Sequence, residues 1–244
     1  MAYLQHGHWD DRRGGRVERR DRAAGPRRGD FPGGRYRGIR AAACPDPGVT
    51  RLRVGVLVSG RGSNLQALIE AMKDPLYPAR VVVVCANRDC AALELANKAG
   101  ISHATFRLAD YPDRKGRDLS MARKLRLHGV ELVVCAGYDA ILERGFTREF
   151  AGRIINIHPS LLPQFAGTMD AVAMALEARV TETGCTVHVV TKDVDAGPIL
   201  AQRRVEVRPD DTVETLRERI QAEEHTLLPM VVKQVAGQAL PLTV

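Results

Sequence analysis

The sequence predicts an α/β domain built on a mostly parallel central sheet with flanking helices. Three observations predict it. Short valine-rich runs recur from Arg51 onward. Segments with apolar residues at helical spacing lie between them, and the connections are short and marked by glycine.

The elements follow in order. Residues 54–59 (VGVLVS) form a short apolar run bounded by glycine, which reads as a buried parallel strand. Residues 63–73 carry apolar side chains at 65, 68, 69 and 72, a helical period. Ser63 followed by Gln66 reads as a capping-box start for that helix. Residues 80–86 (RVVVVCA) are a second buried strand, and 91–99 a helix stopped by Gly100. A weak strand at 103–106 precedes a helix at 114–128 that ends at Gly129. Residues 131–136 (ELVVCA) and 154–158 (IINIH) are the fourth and fifth strands, and 169–178 looks helical. Residues 186–190 and 199–207 read as two strands joined by a turn at Asp195-Ala196-Gly197-Pro198. A long amphipathic helix spans 212–235, opened by an Asp211…Glu214 cap signal and kinked at Pro229.

A chain of 244 residues holds one full domain or two small ones. No run of about 18 apolar residues occurs, which excludes a membrane-spanning helix. Five scattered cysteines (Cys44, Cys85, Cys90, Cys135, Cys185) with no CxxC pair argue against a disulfide scaffold and a structural zinc site. They read as reduced, mostly buried thiols of a cytosol-like compartment, so the expected location is cytoplasmic. No pair of ligands has a metal-site spacing, and no metal is expected.

The net charge of +7 is unevenly placed. Residues 1–50 hold 11 arginines against 6 acids, whereas 51–244 hold 25 basic and 23 acidic residues. The first 50 residues also contain nine glycines and four prolines without apolar periodicity, so they read as a disordered Arg/Gly-rich extension. Arginine–glycine tracts bind single-stranded nucleic acid in some proteins, but six acids dilute this field, and an unstructured extension is the favoured reading. No apolar h-region marks a signal peptide, and the acids argue against a transit peptide. The folded domain is expected over 51–244.

Three segments carry candidate chemistry. Ser59-Gly60-Arg61-Gly62-Ser63-Asn64 joins the first strand to the first helix. Its glycines permit a tight turn, and the free N–H groups of the helix start favour an anion. Leu65 stands where a dinucleotide fingerprint needs its third glycine, and no Gly-Lys-Ser/Thr follows, so a phosphate monoester on a small substrate fits better. The competing reading is a plain strand-to-helix turn.

The second segment is Asn156-Ile157-His158-Pro159-Ser160-Leu161-Leu162-Pro163. Residues i and i+2 of a strand face the same side, so Asn156 and His158 project together at the carboxyl end, where open α/β sheets bind ligands. The imidazole suits proton transfer near neutral pH, and the amide suits a developing oxyanion. The third segment is Thr191-Lys192-Asp193-Val194-Asp195-Ala196-Gly197-Pro198. Asp195 is either a solvated turn aspartate or a carboxylate facing His158, where it would orient the ring and favour its charged form. His188 lies on a strand and reads as a satisfied core residue, and His103 and His128 lie near element ends.

Together these segments resemble a known family. Gly-Arg-Gly-Ser-Asn at 60–64, the Asn156–Pro163 stretch, Gly184-Cys185-Thr186-Val187-His188, Asp195-Ala196-Gly197-Pro198 and Gln221-Ala222-Glu223-Glu224-His225 occur in the order seen in the folate-dependent formyltransferases, in the glycinamide ribonucleotide branch. The resemblance covers about residues 51–240. It implies a Rossmann-like formyltransferase fold, and formyl transfer from 10-formyltetrahydrofolate, a co-substrate, to the amine of glycinamide ribonucleotide in purine synthesis. It also implies roles for single residues. His158 matches the proton-transfer residue, Asn156 the group polarising the formyl oxygen, and Asp195 the carboxylate raising the histidine pKa. Gly62, Ser63 and Asn64 match the loop holding the ribonucleotide phosphate, with Gln221 and Glu224 on the far side of that substrate. Arg114 matches a folate-contacting arginine. Asp139, Ala140, Ile141 and Leu142, with Asn156 and with Thr191, Lys192, Asp193, Val194 and Asp195, match the folate site. The implied partners are small molecules, with no membrane, and the oligomeric state is not legible.

Three departures from the family pattern stand out. Gly137-Tyr138-Asp139-Ala140-Ile141-Leu142 replaces the common Gly-Phe-Met-Arg-Ile-Leu, putting an acid and a small residue beside the expected folate site. Phe165-Ala166-Gly167-Thr168-Met169 lacks the usual proline before the glycine and the histidine near Met169. Arg179 stands where a glycine usually ends the helix, at a cost of roughly 1 kcal/mol if the position needs positive φ. A formyl-folate deformylase and a catalytically impaired relative are the alternatives. A deformylase is expected to carry a preceding regulatory domain, for which the first 50 residues are short and polar.

Overall fold

The computed structural model describes residues 51–168, 170–238 and 240–242. The Arg/Gly-rich extension, Cys44 and Met169, on which expectations were placed above, lie outside the described residues.

The chain alternates strands and helices: β1 (Leu52–Val58), α1 (Ser63–Ala71), β2 (Ala79–Ala86), α2 (Ala91–Lys98), β3 (Ser102–Thr105), α3 (Arg114–Leu127), β4 (Leu132–Cys135), α4 (Arg144–Glu149), β5 (Ile154–His158), α5 (Ala171–Glu177), β6 (Glu182–Val189), β7 (Ile199–Glu206) and α6 (Val213–Ala236). They build one seven-stranded sheet of order β3-β2-β1-β4-β5-β6-β7. The pairs from β3 to β5 are parallel, whereas β6 and β7 run antiparallel at one side. The order reverses at β1, so the crevice over the carboxyl ends of β1 and β4 is the topological switch point.

The valine-rich runs are strands because both their faces are covered. Val54, Val56 and Val58 of β1, with Leu132 and Val134 of β4, join one core with Leu65, Leu68, Leu216, Ile220 and Leu227 of α1 and α6. Leu57, Val133 and Cys135 point the other way, to Met121 and Leu125 of α3, Phe146 of α4 and Phe150 just after it. Period-two alternation thus feeds two layers from one sheet.

Local departures from expectation have simple causes. Helix α1 is not opened by a Ser63–Gln66 capping box. Its N-cap is Gly62 in the left-handed region (φ 81°), with no side-chain cap bond. A Cβ on Gly62 would fall 2.6 Å from the Ala92 Cβ, so close packing on α2 selects glycine over a capping side chain. Helix α6 is capped by a reciprocal Thr212–Thr215 box, not by Asp211. Asp211 instead pairs with Arg219 and accepts from the Arg208 N–H. Helix α4 was not anticipated, because six residues are too few to display a period.

Candidate active site

Strand β5 ends at the centre of the sheet's carboxyl edge, carrying Asn156 and the buried His158 on the same side. Across the antiparallel pair, Asn156 stands opposite His188 and His158 opposite Thr186. The segment after β6 turns back at Asp195, which adopts φ 51° and brings its carboxylate between both rings. Asp195 Oδ2 lies 3.5 Å from His158 Nδ1, and Oδ1 lies 3.4 Å from His188 Nε2. Gly197 permits this return: a Cβ there would fall 1.8 Å from the Val189 carbonyl oxygen.

Asn156, His158 and Asp195, named as candidates from the sequence, are thus brought together, and His188, read as a satisfied core residue, is buried on β6 and joins them. Its Nε2 lies 3.1 Å from Asn156 Nδ2, so it shares both the amide and the carboxylate of the site. The signal was its position one residue before the end of a strand paired with Asn156, which needs the antiparallel register to be read.

Two further contacts complete the surroundings. The Gly167 N–H donates to Asp195 Oδ2 at 2.9 Å, and the Phe165 carbonyl oxygen lies 3.1 Å from His158 Nε2. Phe165 and Asp195 are two of the three non-glycine residues with positive φ among the described residues, and both touch the same imidazole. Strained backbone of this kind gathers at working sites.

The expected upward push of Asp195 on His158 is present, but it does not decide the net shift. Asp195 does push the His158 pKa upward, as does the Phe165 carbonyl. Burial acts more strongly, and His188 adds to it, so the net shift is below the ordinary histidine value. A shift in that direction favours the neutral ring. Burial opposes the charge of Asp195, but hydrogen bonds from His188 and Gly167 and the nearby His158 hold its pKa below the usual carboxylate range.

Beside this cluster lies a cavity of about 240 Å³. The loop 60–64 forms one wall, and Arg217, Ile220, Gln221 and Glu224 form the other. Their i, i+3, i+4, i+7 spacing puts them on one stripe of α6. Ile157 and Pro159 line the cavity as well, so it reaches the residues on either side of His158. Asn64 Nδ2 donates to Glu224 Oε2 at 2.8 Å, joining walls 160 residues apart. Burial raises the Glu224 pKa to about 7, against the opposing pull of Asn64.

The remaining candidates frame the same edge. Asp139, Ala140, Ile141 and Leu142 follow β4, whose Cys135 is level with Asn156. Thr191, Lys192, Asp193 and Val194 precede Asp195, and all but Thr191 are exposed. Arg114 is exposed at the first residue of α3, one turn before Arg117, whose Nη2 donates to the Ile141 carbonyl at 3.4 Å. Arg61, Arg217 and Asp170, not anticipated as site residues, also line the cavity. Among the described residues, no group of three or more His, Cys, Asp or Glu side chains is placed to hold a metal ion. No described helix is long and apolar enough to cross a membrane.

Residues 52–232 match the formyl transferase family profile. The phosphoribosylglycinamide formyltransferase of Mycobacterium tuberculosis is 46% identical over 184 residues, covering 75% of this chain and 85% of that protein. The chain belongs to the formyl transferase family. The chain is also 44% identical over 193 residues to the trifunctional purine biosynthetic protein adenosine-3 of Bos taurus, of whose length it spans only 19%. The crystal structure of glycinamide ribonucleotide transformylase 1 from Symbiobacterium toebii superposes on this chain with a TM-score of 0.75, at 44% identity, covering 77% of this chain and 89% of that one.

Proposed function

We propose that this chain transfers the formyl group of 10-formyltetrahydrofolate to the amine of N1-(5-phospho-D-ribosyl)glycinamide, a step of purine biosynthesis, in the cytoplasm. One observation carries the reading: Asn156, His158 and Asp195 converge at the end of β5, beside a cavity walled by a glycine-rich helix start. The names borne by the mycobacterial and Symbiobacterium relatives support the same reaction.

In this reading Gly62, Ser63 and Asn64 hold the ribonucleotide phosphate at the start of α1, where N–H groups and the helix dipole favour an anion. Gln221 and Glu224 face the rest of that substrate. The loops carrying Asp139, Ala140, Ile141 and Leu142, and Thr191, Lys192, Asp193, Val194 and Asp195, together with Arg114 and Asn156, hold the formyl donor. The substrate amine attacks the formyl carbon, and the carbonyl oxygen becomes an oxyanion that the Asn156 amide stabilises. Neutral His158 takes the proton released by the amine, and Asp195 stabilises the imidazolium so formed. That proton then goes to the folate nitrogen as the carbon–nitrogen bond breaks. Holding both substrates together supplies much of the rate.

A single-turnover assay tests this. Purified protein is expected to consume 10-formyltetrahydrofolate only when the ribonucleotide is present. His158→Ala is expected to abolish transfer while keeping the wild-type thermal midpoint. Near-wild-type transfer by that variant refutes the assigned role. Formate release without ribonucleotide supports a deformylase instead.

A further inference from the structure

The loop between β4 and α4 is fastened at both ends. Because β1 lies between β2 and β4, the residues after these three strands stand side by side. Arg88, just beyond β2, reaches across: its Nε donates to the Ser59 carbonyl at 2.9 Å, and its Nη2 pairs with Asp139 Oδ2. Asn87 Nδ2 donates to the other carboxylate oxygen of Asp139 at 2.8 Å. The Asp139 N–H donates to Ser59 Oγ at 3.0 Å, and the Ser59 N–H donates to the Gly137 carbonyl at 3.0 Å. At the far end the buried Arg117–Asp118 pair of α3 does the same work. Arg117 holds the Ile141 carbonyl, and Asp118 Oδ2 accepts from the Glu143 N–H at 2.7 Å.

The acid at 139, a departure from the family pattern, is thus turned away from the donor loop's outer surface and into a brace. What the loop presents between its two fastenings is the backbone of Ala140 to Leu142 and the exposed side chain of Ile141. Fixed amide groups beside an apolar side chain suit a flat heterocycle with alternating donors and acceptors. Resting on the formyl-transfer reading, we infer that Arg88 and Asp139 are positioning residues for the formyl donor. Their pairing over Ser59 sets the attitude of the Ala140–Leu142 backbone, and Ser59 also begins the loop that walls the ribonucleotide cavity.

The test uses the full chain as Arg88→Ala, Asp139→Ala and the double variant, varying each substrate in turn. Each single change is expected to raise KM for 10-formyltetrahydrofolate about 10-fold, the loss of a charge-assisted contact, with kcat within about twofold. The double variant is expected to be no worse than the poorer single one, because either change breaks the same brace. Calorimetric titration with tetrahydrofolate is expected to weaken in parallel. Asp139→Asn, which keeps shape and removes charge, carries the comparison if an alanine variant fails to fold. An unchanged donor KM, or effects that multiply in the double variant, overturns the inference. So does an equal loss of kcat with a lowered thermal midpoint. If the wild type transfers no formyl group, the functional reading fails, while the tetrahydrofolate titration still decides the brace.

Discussion

Asp195→Asn isolates one charge at the centre of the site. Asparagine tolerates the left-handed backbone that Asp195 adopts (φ 51°), so the turn is kept. The amide also keeps an acceptor for the Gly167 N–H. What disappears is the negative charge 3.5 Å from His158 Nδ1. At that separation, opposite unit charges attract by about 1 kcal/mol in a water-like dielectric and about 5 kcal/mol in a protein-like one. In the proposed reaction His158 is neutral at the start and positive once it has taken the amine proton, so the attraction acts mainly on the transition state. At roughly 1.4 kcal/mol per decade, the expected loss in kcat is about 10- to 1,000-fold, with the KM values little changed. Removing the carboxylate also removes an upward push on the His158 pKa, which is already below the ordinary value. The acid limb of the rate profile is therefore expected to move further down in the variant. Single-turnover formyl transfer from pH 5 to 8 measures both. A kcat within about threefold of wild type, or an acid limb moving upward, refutes the assigned role of Asp195.

Other outcomes follow from single residues. Glu224 has a folded-state pKa of about 7 against an ordinary value of 4.5. The folded protein therefore binds the extra proton, and the stability it confers is full below 4.5 and lost as pH rises through 7. Glu224→Gln is expected to remove up to about 3 kcal/mol of that pH dependence, seen by urea unfolding at pH 5 and pH 8; parallel curves would exclude it. Arg179 sits at φ 50° just beyond α5, so Arg179→Gly is expected to stabilise by about 1 kcal/mol, read as a thermal midpoint a few degrees higher. Gly62→Ala forces a Cβ to 2.6 Å from Ala92 at φ 81° and should cost about 1–3 kcal/mol and weaken ribonucleotide binding; unaltered KM and midpoint would show the loop to be unconstrained.

Local chemistry made much of this molecule legible in advance. The run IINIH is β5 to the residue: three isoleucines mark an apolar strand, and the polar Asn156 and His158 interrupt it on one side only. Gly100 and Gly129, both left-handed, marked the ends of α2 and α3. What was not legible depends on pairing. His188 looks like any strand residue until β6 is laid antiparallel against β5. Asn64 and Glu224 belong together only after α6 returns across α1. The pKa of His158 could not be read from its partner alone, since burial outweighs the neighbouring carboxylate. Asp139 looked like an intrusion into a ligand site because its sequence neighbours say nothing of Arg88.

The antiparallel hairpin of β6 and β7 has a consequence for how activity is acquired. The imidazole comes from the parallel part of the sheet, while its carboxylate arrives on the segment joining the two hairpin strands. A partly folded chain with only the parallel half in place would own a histidine with no counter-charge and would stay silent. If the proposed function holds, turnover in a refolding experiment reports docking of the last strands rather than formation of the first, and is expected to lag behind the recovery of helical signal.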